Sequence, residues 1–575
     1  MKDLSRADLV IRNARVYNSY FRRFNDADVY VKDGRFLYID QKRQNEITAD
    51  NEIDASGRFM IPGLIDIHMH IESSLVTPAA FADYTVSNGL TTIVSEPHEI
   101  ANVCGQDGIK AMIKDGKDAI YDIYYAIPSN VPVMPEKYET AGRAITCQDM
   151  LELKDTENVI CLGEVMNYME ITQENNSEVG KFIETVRKTD PNYILEGHCP
   201  QLKDAELAKF LYRGINSDHC EHDIEELKQR FENGMFVQIQ DLMMKQEVID
   251  FIMENNLYEY FSFVTDDTFP DILIQKGHLD YLVRKAISMG MKPENAIYCA
   301  TYTPAARMNL RDRGVIAPGR LADFLLLDDI NKFVIRETYK NGRKVFDITE
   351  EKNKNRTYSL GKQYENTVRL EKPDINRFTV HVPGNDRKVK VRVMEIRRNT
   401  NVTFPCFVEM EVIDNTLQWQ KTDCRLLMIF ERHGKNGNIS YGFVKGDGLK
   451  EGAVASSLNH DSHDLIVMGC NPQDMKKAVD TIIDISGGIV AVNNGEITGQ
   501  LSLPIAGLMS NLSVEKAAKQ FISIRNAFEK QGYVHRNTVM NLCLLSLTCM
   551  PFLKLTDKGY MDTVELRMLP LYEEI

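Results

Sequence analysis

The sequence predicts an α/β fold: a (β/α)8 barrel with a small β-sandwich and a C-terminal α+β domain. Three observations support this prediction. Short β-type runs fill the first sixty residues and return after Gly319. Between them, eight apolar strand-like runs alternate with helical segments over about 250 residues, which is the size of a (β/α)8 barrel. Beyond residue 370, helix-like and strand-like segments are mixed without that alternation.

The predicted sandwich takes its strands from both sides of the barrel. The N-terminal strands are Leu9–Ile11, Val29–Val31 and Phe36–Ile39. An Asp-Gly pair, which favours a hairpin turn, separates the last two. After the barrel, β-type sequence returns at Ala322–Leu327 and at Tyr339–Phe346. Because chain ends often lie close together, we expect residues 1–61 and 319–350 to form one domain.

The barrel is expected over residues 62–318. Segments with helical spacing, such as Thr77–Asn88, lie between its strand-like runs. The eight runs are Leu64–His70, Thr91–Pro97, Asp122–Pro128, Val159–Met166, Tyr193–His198, Ile215–His219, Met235–Gln240 and Phe261–Thr265. Enzymes with this fold place their chemistry at the C-terminal ends of the strands, so the residues at these ends are the candidate site.

The sequence after the sandwich strands predicts a linker and a further domain. Residues 351–369 form the expected linker, and most of that stretch is polar and charged. The domain from 370 to 575 has an alternating strand at Lys388–Ile396, a helix at Met475–Ser486 and a strand at Gly487–Val492. Leu503–Ser510 is apolar and contains proline, which favours a place in the core.

Composition excludes several classes of protein. The 575 residues carry a formal charge of −15, which opposes a nucleic-acid partner held through its phosphates. The eleven cysteines are odd in number and form no C-x-x-C pair, which indicates a reducing compartment. The N-terminus has charges where a signal peptide is apolar, and no apolar stretch is long enough to span a bilayer. We therefore expect a soluble cytoplasmic protein.

His68 and His70 stand two residues apart at the end of the first predicted barrel strand. Side chains alternate across a strand, so both imidazoles leave the same face. Two imidazoles that converge at a strand end make half of a metal site. The alternative is a pair of strand histidines of which one or both are solvated, and this pair alone leaves both interpretations open.

Other strand ends carry the same kinds of residue. Singly, a strand-end histidine is more often hydrogen-bonded than metal-bound, and a lone aspartate before a helix is often an N-cap. Five of the chain's twelve histidines, however, fall at four strand ends, together with two carboxylates. The residues are His68, His70, His98, His198, His219, Glu164 and Asp266. Four imidazoles and two carboxylates can hold two divalent metals with open positions for water, and metal binding lowers the pKa of water to about 7. Asp266 is then a candidate metal ligand and general base.

The barrel resembles the amidohydrolase superfamily, and its motifs are similar to those of bacterial adenine deaminases. The similar segments are Pro62–Ser74, Glu96–Val103, Gly163–Asn167, Thr265–Asp267, Gly277–Asp280, Gly314–Gly319, His460–Asp464 and Leu503–Ser510. An H-x-H motif alone indicates only the superfamily, whereas His-Ile-Glu-Ser-Ser and Pro-His-Glu-Ile-Ala-Asn are far more specific. The resemblance covers nearly the whole chain.

The resemblance implies a role for each matched residue. The metal ligands would be His68, His70, Glu164 as a bridging carboxylate, His198, His219 and Asp266. His98 would lie over the metals and steady the reacting groups. Glu72 and Glu99 would contact the substrate, or else support a ligating histidine. The implied cofactor is two divalent ions, Mn²⁺, Fe²⁺ or Zn²⁺, because imidazole and carboxylate suit each of them.

The chain departs from the family pattern after strands five to eight. Cys199 follows the fifth-strand histidine and Cys220 the sixth-strand histidine, where the family usually has Ala and Glu. Gln240-Asp-Leu-Met243 replaces the usual Arg-Glu-Gly-Ser, and Thr268-Phe269 replaces the usual Arg-His. We expect these residues to lie on loops that face the substrate, with Thr268 and Phe269 lining its pocket.

The reaction implied is hydrolytic deamination of adenine to hypoxanthine and ammonia, in purine salvage. One alternative is a C–N hydrolase of the same fold that acts on an N6-substituted adenine or a cyclic amide. Another is a non-catalytic barrel that binds metal or nucleobase. The single-zinc deaminase mechanism is excluded because no P-C-x-x-C motif is present. His460 and His463 suit a structural hydrogen-bond network or a metal, with the structural role favoured, and a homo-oligomer is expected.

Overall fold

The computed structural model describes residues 4–44, 47–172, 177–200, 202–350, 356–384 and 387–575. Its N-terminal part consists of strands. They are β1 Arg6–Asn18, β2 Arg23–Lys32, β3 Arg35–Asp40, β4 Thr48–Asp54 and β5 Phe59–Pro62. The long strand β1 pairs antiparallel with β2 and parallel with both β4 and β5.

A TIM-barrel-like domain follows, in which strands and helices alternate. Its elements are β6 Leu64–Met69, α1 Pro78–Thr85, β7 Leu90–Ser95, α2 His98–Gly116, β8 Asp122–Ile127, α3 Cys147–Lys154, β9 Val159–Val165, α4 Tyr168–Thr172, α5 Glu178–Thr189, β10 Ile194–Gly197, α6 Asp204–Tyr212, β11 Ser217–Asp218, α7 Ile224–Glu232, β12 Phe236–Ile239, α8 Gln246–Glu254, β13 Phe261–Phe263, α9 Pro270–Lys276, α10 Leu279–Ser288 and α11 Pro293–Arg307. Each predicted strand-like run overlaps one of the eight strands, and the sixth strand is the shortest.

The eight strands are parallel and neighbour one another in chain order. Strands β6 to β10 form one hydrogen-bonded run and β11 to β13 another. The two runs meet at Gly197, whose N–H donates to Ser217 Oγ at 3.1 Å. A Cβ on Gly197 would lie 2.5 Å from the Ser217 carbonyl, so only glycine allows this approach. The ring closes where the Asp266 N–H donates to the carbonyl of His68 at 3.1 Å.

Local sequence explains why these segments fold as they do. Every residue of β7, Leu-Thr-Thr-Ile-Val-Ser, is buried, as expected for a β-branched strand covered on both faces. Helix α5 buries Val179, Phe182, Ile183 and Val186, which recur at the helical spacing and pack on the core. Such helices surround the strands and leave the strand ends free for polar residues.

The strands after the barrel return to the N-terminal sheet. They are β14 Phe324–Asp329, β15 Val334–Lys340 and β16 Arg343–Asp347. The sheet has the order β16-β15-β14-β5-β1-β2-β3, with β4 beside β1. The two ends of the barrel sequence therefore share one sheet, as expected, and its folding into a two-layered sandwich stays a prediction.

The C-terminal part mixes strands and helices. Its elements are β17 Arg387–Arg397, β18 Thr400–Ile413, β19 Thr416–Leu417, β20 Arg425–Phe430, β21 Ile439–Gly446, β22 Ala453–Ser456, β23 Leu465–Gly469, α12 Pro472–Asp484, β24 Gly488–Asn493, β25 Glu496–Ser502, α13 Val514–Lys530, α14 Thr538–Cys543, β26 Leu553–Thr556, β27 Gly559–Asp562, β28 Arg567–Leu569 and β29 Tyr572–Glu574. The main sheet has the order β19-β18-β17-β21-β20-β23-β22-β24-β25, with β29 beside β17. The elements predicted around 388–396, 475–486 and 487–492 are all present.

The expected linker lies against the barrel. Residues 351–355 of it lie outside the described residues. In its remainder, Tyr358 donates a hydrogen bond to Asp83 at 2.9 Å, and Tyr364 donates to the carbonyl of Asp107 at 3.0 Å. Among the helices of the described ranges, each is too short or too polar to cross a membrane.

The C-terminal part packs over the face of the barrel where the strands end. Ser510 donates hydrogen bonds from its N–H and its hydroxyl to the carbonyl of Leu75, both at 2.8 Å. All residues of Leu503–Ser510 except Pro504 are buried, as the sequence predicted. The ring of Phe521 on α13 stacks on Phe269, with centroids 4.7 Å apart. These contacts make the C-terminal part a wall of the candidate site.

Candidate active site and metal centre

The six residues predicted to bind metal lie together at the C-terminal ends of the barrel strands. His68 is in β6 and His70 follows it by two residues, so both rings project from the same face. Glu164 lies near the end of β9, His198 and His219 directly follow β10 and β11, and Asp266 lies three residues beyond the end of β13. Parallel strands of a closed sheet bring these ends to one rim.

The Glu164 carboxylate lies at the centre of the group. Its Oε1 is 3.3 Å from His70 Nε2. Its Oε2 is 2.9 Å from His198 Nδ1 and 3.1 Å from His219 Nε2. One carboxylate oxygen thus faces His70 of the first strand and the other faces the histidines after strands five and six, an arrangement that suits a bridging carboxylate.

Asp266 faces the same group from strand eight. Its Oδ1 lies 3.4 Å from His70 Nε2 and 3.8 Å from His68 Nε2. Its Oδ2 accepts a hydrogen bond from Gln240 Nε2 at 2.8 Å. Burial would raise the pKa of Asp266, but the hydrogen bond to His70 and the neighbouring imidazoles hold that pKa below its ordinary value. The carboxylate is therefore ionised and held in one orientation.

The chemistry of these donors fits divalent metal ions. Their imidazole nitrogens and carboxylate oxygens form groups of at least three ligand atoms within 4.8 Å of one another. In the described part of the chain, His68 Nε2 is buried with no hydrogen-bond partner, although it lies beside Asp266. Burial opposes ionisation of Glu164, whereas His219, His198 and His70 lower its pKa well below the ordinary value. A buried carboxylate that stays ionised among such donors is suited to a cation.

His98 lies next to this group, held by Glu96. His98 Nδ1 is 2.6 Å from Glu96 Oε2 and 3.6 Å from Glu164 Oε1. A Cβ on Gly163 would lie 2.3 Å from Glu96 Oε1, so glycine is needed for Glu96 to reach this place. Burial alone would lower the pKa of His98, but the Glu96 carboxylate raises it to about 10. The ring is thus fixed beside the candidate centre, where the resemblance implied it.

Glu72 and Glu99 are neighbours beside the centre and both are buried. Glu72 Oε1 accepts a hydrogen bond from the N–H of Ile100 at 3.3 Å. Burial, followed by the charge of Glu99, raises the pKa of Glu72 to about 7. Glu99 contacts two histidines of the C-terminal part, His460 and His463. Contact of either carboxylate with substrate stays a proposal.

A cavity of about 400 Å³ opens beside Asp266. Thr268 and Phe269 line it, as the sequence predicted, together with Gln240. The C-terminal part contributes its other wall through Asn401, Arg536, Asn537 and Met540. Asp266 and the ring of Phe269 therefore line the same cavity.

Two of the departures from the family pattern do not line this cavity. The expectation was wrong for Cys199 and Cys220, which are buried. The Cys199 thiol donates to Asp218 Oδ2 at 3.1 Å, and the Cys220 N–H donates to Asp218 Oδ1 at 3.2 Å. Arg230 donates to that carboxylate from Nε at 2.7 Å. A buried carboxylate needs several donors, so these residues turn inward to satisfy Asp218.

Sequence reasoning missed several residues of the site. The sequence assigns no role to Glu96, which holds His98, and does not predict that Gln240 orients Asp266. The contacts of His460 and His463 with Glu99 had no sequence signal, because the two partners belong to different domains. The sequence favours a structural role for these histidines, and both lie beside Glu99 at the candidate site.

Comparison with known proteins agrees with this geometry. The Amidohydrolase family model matches residues 59–345, and the Adenine deaminase C-terminal domain model matches residues 400–567. The adenine deaminase of Clostridium perfringens strain 13 is 43% identical over 576 residues, covering 99% of each chain. Adenine deaminase 2 of Shouchella clausii is 41% identical over 98% of this chain and 99% of its own.

A solved structure was also found to be similar over part of the chain. The β-aspartyl dipeptidase of Fervidobacterium islandicum AW-1 covers 60% of this chain and 98% of its own, with 17% identity and a TM-score of 0.46. The likeness to the curated relatives, in contrast, extends from end to end and includes both matched family models. By this full-length similarity, the chain belongs to the adenine deaminase family.

Proposed function

We propose that this protein hydrolyses adenine to hypoxanthine and ammonia. The observation that carries the proposal is the convergence of four histidines, Glu164 and Asp266 at one barrel rim, in a chain similar over its whole length to proteins named adenine deaminase. A non-catalytic binding barrel would not need a carboxylate such as Asp266, oriented by an amide, in the lining of a cavity.

The centre is proposed to hold two divalent ions, Mn²⁺, Fe²⁺ or Zn²⁺. Glu164 is proposed to bridge them, with the remaining ligands drawn from His68, His70, His198, His219 and Asp266. Divalent ions bound there act as Lewis acids and make water nucleophilic near neutral pH. The support is the donor set itself, because each residue offers an imidazole nitrogen or a carboxylate oxygen.

Asp266 is proposed to move the proton. When water attacks C6 of the base, Asp266 accepts its proton and delivers it to the amino group, which leaves as ammonia. The hydrogen bond from Gln240 supports this role, since it keeps one oxygen of Asp266 fixed while the other faces the histidines. His98, oriented by Glu96, is proposed to stabilise the negative charge that develops on the base.

Four residues are proposed to contact the base. Thr268 and Phe269 line the cavity, and the Phe269 ring offers a flat apolar surface to a purine. Glu72 and Glu99 are proposed to contact its ring nitrogens, because a purine has both donor and acceptor positions. The elevated pKa of Glu72, about 7, suits a carboxyl group that exchanges a proton near neutral pH.

The test is an ammonia-release assay of metal-loaded protein with adenine, N6-methyladenine and guanine. We expect turnover of adenine above the other two bases. Faster turnover of N6-methyladenine would identify a substituted adenine, in place of adenine itself, as the substrate. Metal binding without turnover of any base would contradict an enzymatic function. The expected domain limits, the homo-oligomer, the cytoplasmic location and the role in purine salvage stay predictions.

A further inference from the structure

The loop His460–Asp464, between β22 and β23, reaches from the C-terminal part into the barrel site. All five of its side chains are buried, with at most 5% of each residue exposed. The loop approaches the start of helix α2, where His98 and Glu99 lie. A loop that only joined two strands of its own sheet would have no need to bury five polar residues against another domain.

Two histidines of this loop hold the Glu99 carboxylate. His460 Nδ1 lies 2.9 Å from Glu99 Oε1. His463 Nε2 lies 2.7 Å from Glu99 Oε2. Because Glu99 is only 1% exposed, its charge needs partners inside the protein. Each oxygen of the Glu99 carboxylate therefore has one imidazole of this loop at contact distance, His460 through Nδ1 and His463 through Nε2.

The residue between these histidines in sequence faces the other side of the site. Asp461 Oδ1 lies 3.9 Å from His98 Nε2 and 3.5 Å from His460 Nδ1. His98 in turn contacts Glu96 and Glu164 through Nδ1. One loop therefore contacts both consecutive residues, His98 and Glu99, that follow strand β7.

The loop is itself fixed by its own domain. Ser546 Oγ donates to the carbonyl of His460 at 3.2 Å, and Arg432 donates to the carbonyl of His463. The N–H of His463 donates to the carbonyl of Asn459 at 2.6 Å. A loop held in this way can impose an orientation on Glu99, which a mobile loop could not do.

We propose that His460 is a positioning residue supplied to the barrel active site by the C-terminal domain. It orients the Glu99 carboxylate toward the base, while Asp461 steadies His98. This inference rests on the proposed function, and it makes the deaminase site a composite of two domains. If the loop only packed against the barrel, it would fill the same space, and the position of the donor nitrogen on the His460 side chain would not matter.

That requirement makes the inference testable at a single position. In His460→Asn the side-chain amide takes the place of Nδ1, whereas in His460→Gln it takes the place of Nε2. Both variants remove the ring and the charge, so each serves as the control for the other. His460→Leu removes every donor, and His381→Asn changes an exposed histidine of the same domain.

We expect His460→Asn to keep most of the wild-type kcat/KM for adenine, because it still offers a donor to Glu99. His460→Gln and His460→Leu should each lose about 10- to 100-fold, which is the range for losing a hydrogen bond to a charged group. Metal content and thermal midpoint are measured for all four variants and should stay near those of the wild type.

Equal activity in the Asn, Gln and Leu variants would overturn the inference. Equal losses of kcat/KM in all three variants, accompanied by a matching fall in the thermal midpoint, would overturn it as well. Either result would mean that His460 only packs the interface. Wild-type protein without turnover of adenine would instead contradict the proposed function and, with it, this inference. Wild-type turnover together with unaffected His460 variants would contradict the inference alone.

Discussion

Gln240 donates a hydrogen bond from Nε2 to Oδ2 of Asp266 over 2.8 Å. The same amide group donates to the carbonyl of His219 at 3.0 Å. One neutral side chain at the end of strand seven therefore connects the proposed base on strand eight with a proposed ligand after strand six. In this chain Gln240 stands where the family pattern usually has the Arg of Arg-Glu-Gly-Ser, so the orientation of Asp266 depends on a neutral amide.

Replacing Gln240 with Leu should lower kcat by about 10- to 100-fold, which is the rate effect expected for the loss of one hydrogen bond to a charged group. The physical reason is that Asp266 can then rotate away from the orientation that accepts the proton. The measurement is steady-state kinetics with adenine. Gln246→Leu, on the outer helix α8, removes an amide far from the site and should leave kcat unchanged. Equal kcat in Gln240→Leu and wild type would refute the orienting role.

Replacing Asp266 with Asn should lower kcat by at least about 1000-fold while most of the metal stays bound. The amide keeps a ligand oxygen but cannot accept the proton. Activity and metal content are measured on the same preparation, with Asp250→Asn on α8 as the control. Substantial turnover by the Asn variant would eliminate Asp266 as the base.

Removal of metal with a chelator should abolish turnover, and Mn²⁺, Fe²⁺ or Zn²⁺ should restore it. Glu164→Gln should bind less than about two equivalents of metal, because Glu164 contacts histidines on both sides of the centre. Glu184→Gln, an exposed change on α5, is the matched control. Metal content and turnover are measured on the same preparations. Full activity in metal-free protein would contradict the proposal of two catalytic metal ions.

Glu139 should make the protein less stable as the pH rises. It is buried, and burial together with the charges of Asp461 and Asp557 raises its pKa from 4.5 to about 8. A carboxyl group whose pKa is raised on folding favours the folded state below its unfolded pKa, and that contribution is lost as the pH rises through its folded pKa. The loss should therefore occur between about pH 4.5 and about pH 8.

The variant Glu139→Gln isolates this effect, since its amide stays neutral at both ends of that range. At about pH 8 it should be more stable than the wild type by at least about 1 kcal/mol, and near pH 5 the two should differ little. Chemical denaturation at both pH values measures the difference. A pH-independent difference between them would show that Glu139 is already ionised in the folded protein.

The ion pair between Asp271 and Arg525 should couple the cavity wall to the C-terminal helix α13. Arg525 Nη1 lies 2.5 Å from Asp271 Oδ2, and Asp271 is 1% exposed. Arg525→Met should lower the free energy of unfolding by about 1 to 3 kcal/mol, because it leaves a buried carboxylate unpaired. It should also raise KM for adenine, since Phe269 of the cavity directly precedes helix α9.

The double variant Asp271→Asn with Arg525→Met should recover part of that stability, because no buried charge remains without a partner. The free energy of unfolding is measured by urea denaturation for the wild type, both single variants and the double variant, which together form a double-mutant cycle. Additive losses across the four proteins would mean that the two side chains do not interact.

Much of the fold and of the candidate site could be predicted from local patterns. The runs that became β6, β7 and β9 are apolar and β-branched, and their spacing with helices predicts a parallel barrel. His68 and His70 could be assigned to one face because strand side chains alternate. Glu164, His219 and Asp266 could be placed with them because parallel strands end at one rim.

The orientation of loop residues could not be predicted in the same way. Cys199 and Cys220 follow strands whose ends bear proposed ligands, yet they turn inward to Asp218 and Arg230. Thr268 and Phe269, which also follow a strand, do face the cavity. Loops have no side-chain period, so the satisfaction of buried charges decides which way each residue points.

The amino-acid sequence by itself determined the barrel, the identity of the six proposed ligands and the membership in a deaminase family. These depend on short-range periodicity and on motifs whose residues are close together in the chain. Only the tertiary structure decided that His460 meets Glu99 and that Gln240 meets Asp266. Such pairs form when separate elements pack against each other, and no local pattern records which distant residue a buried charge will find.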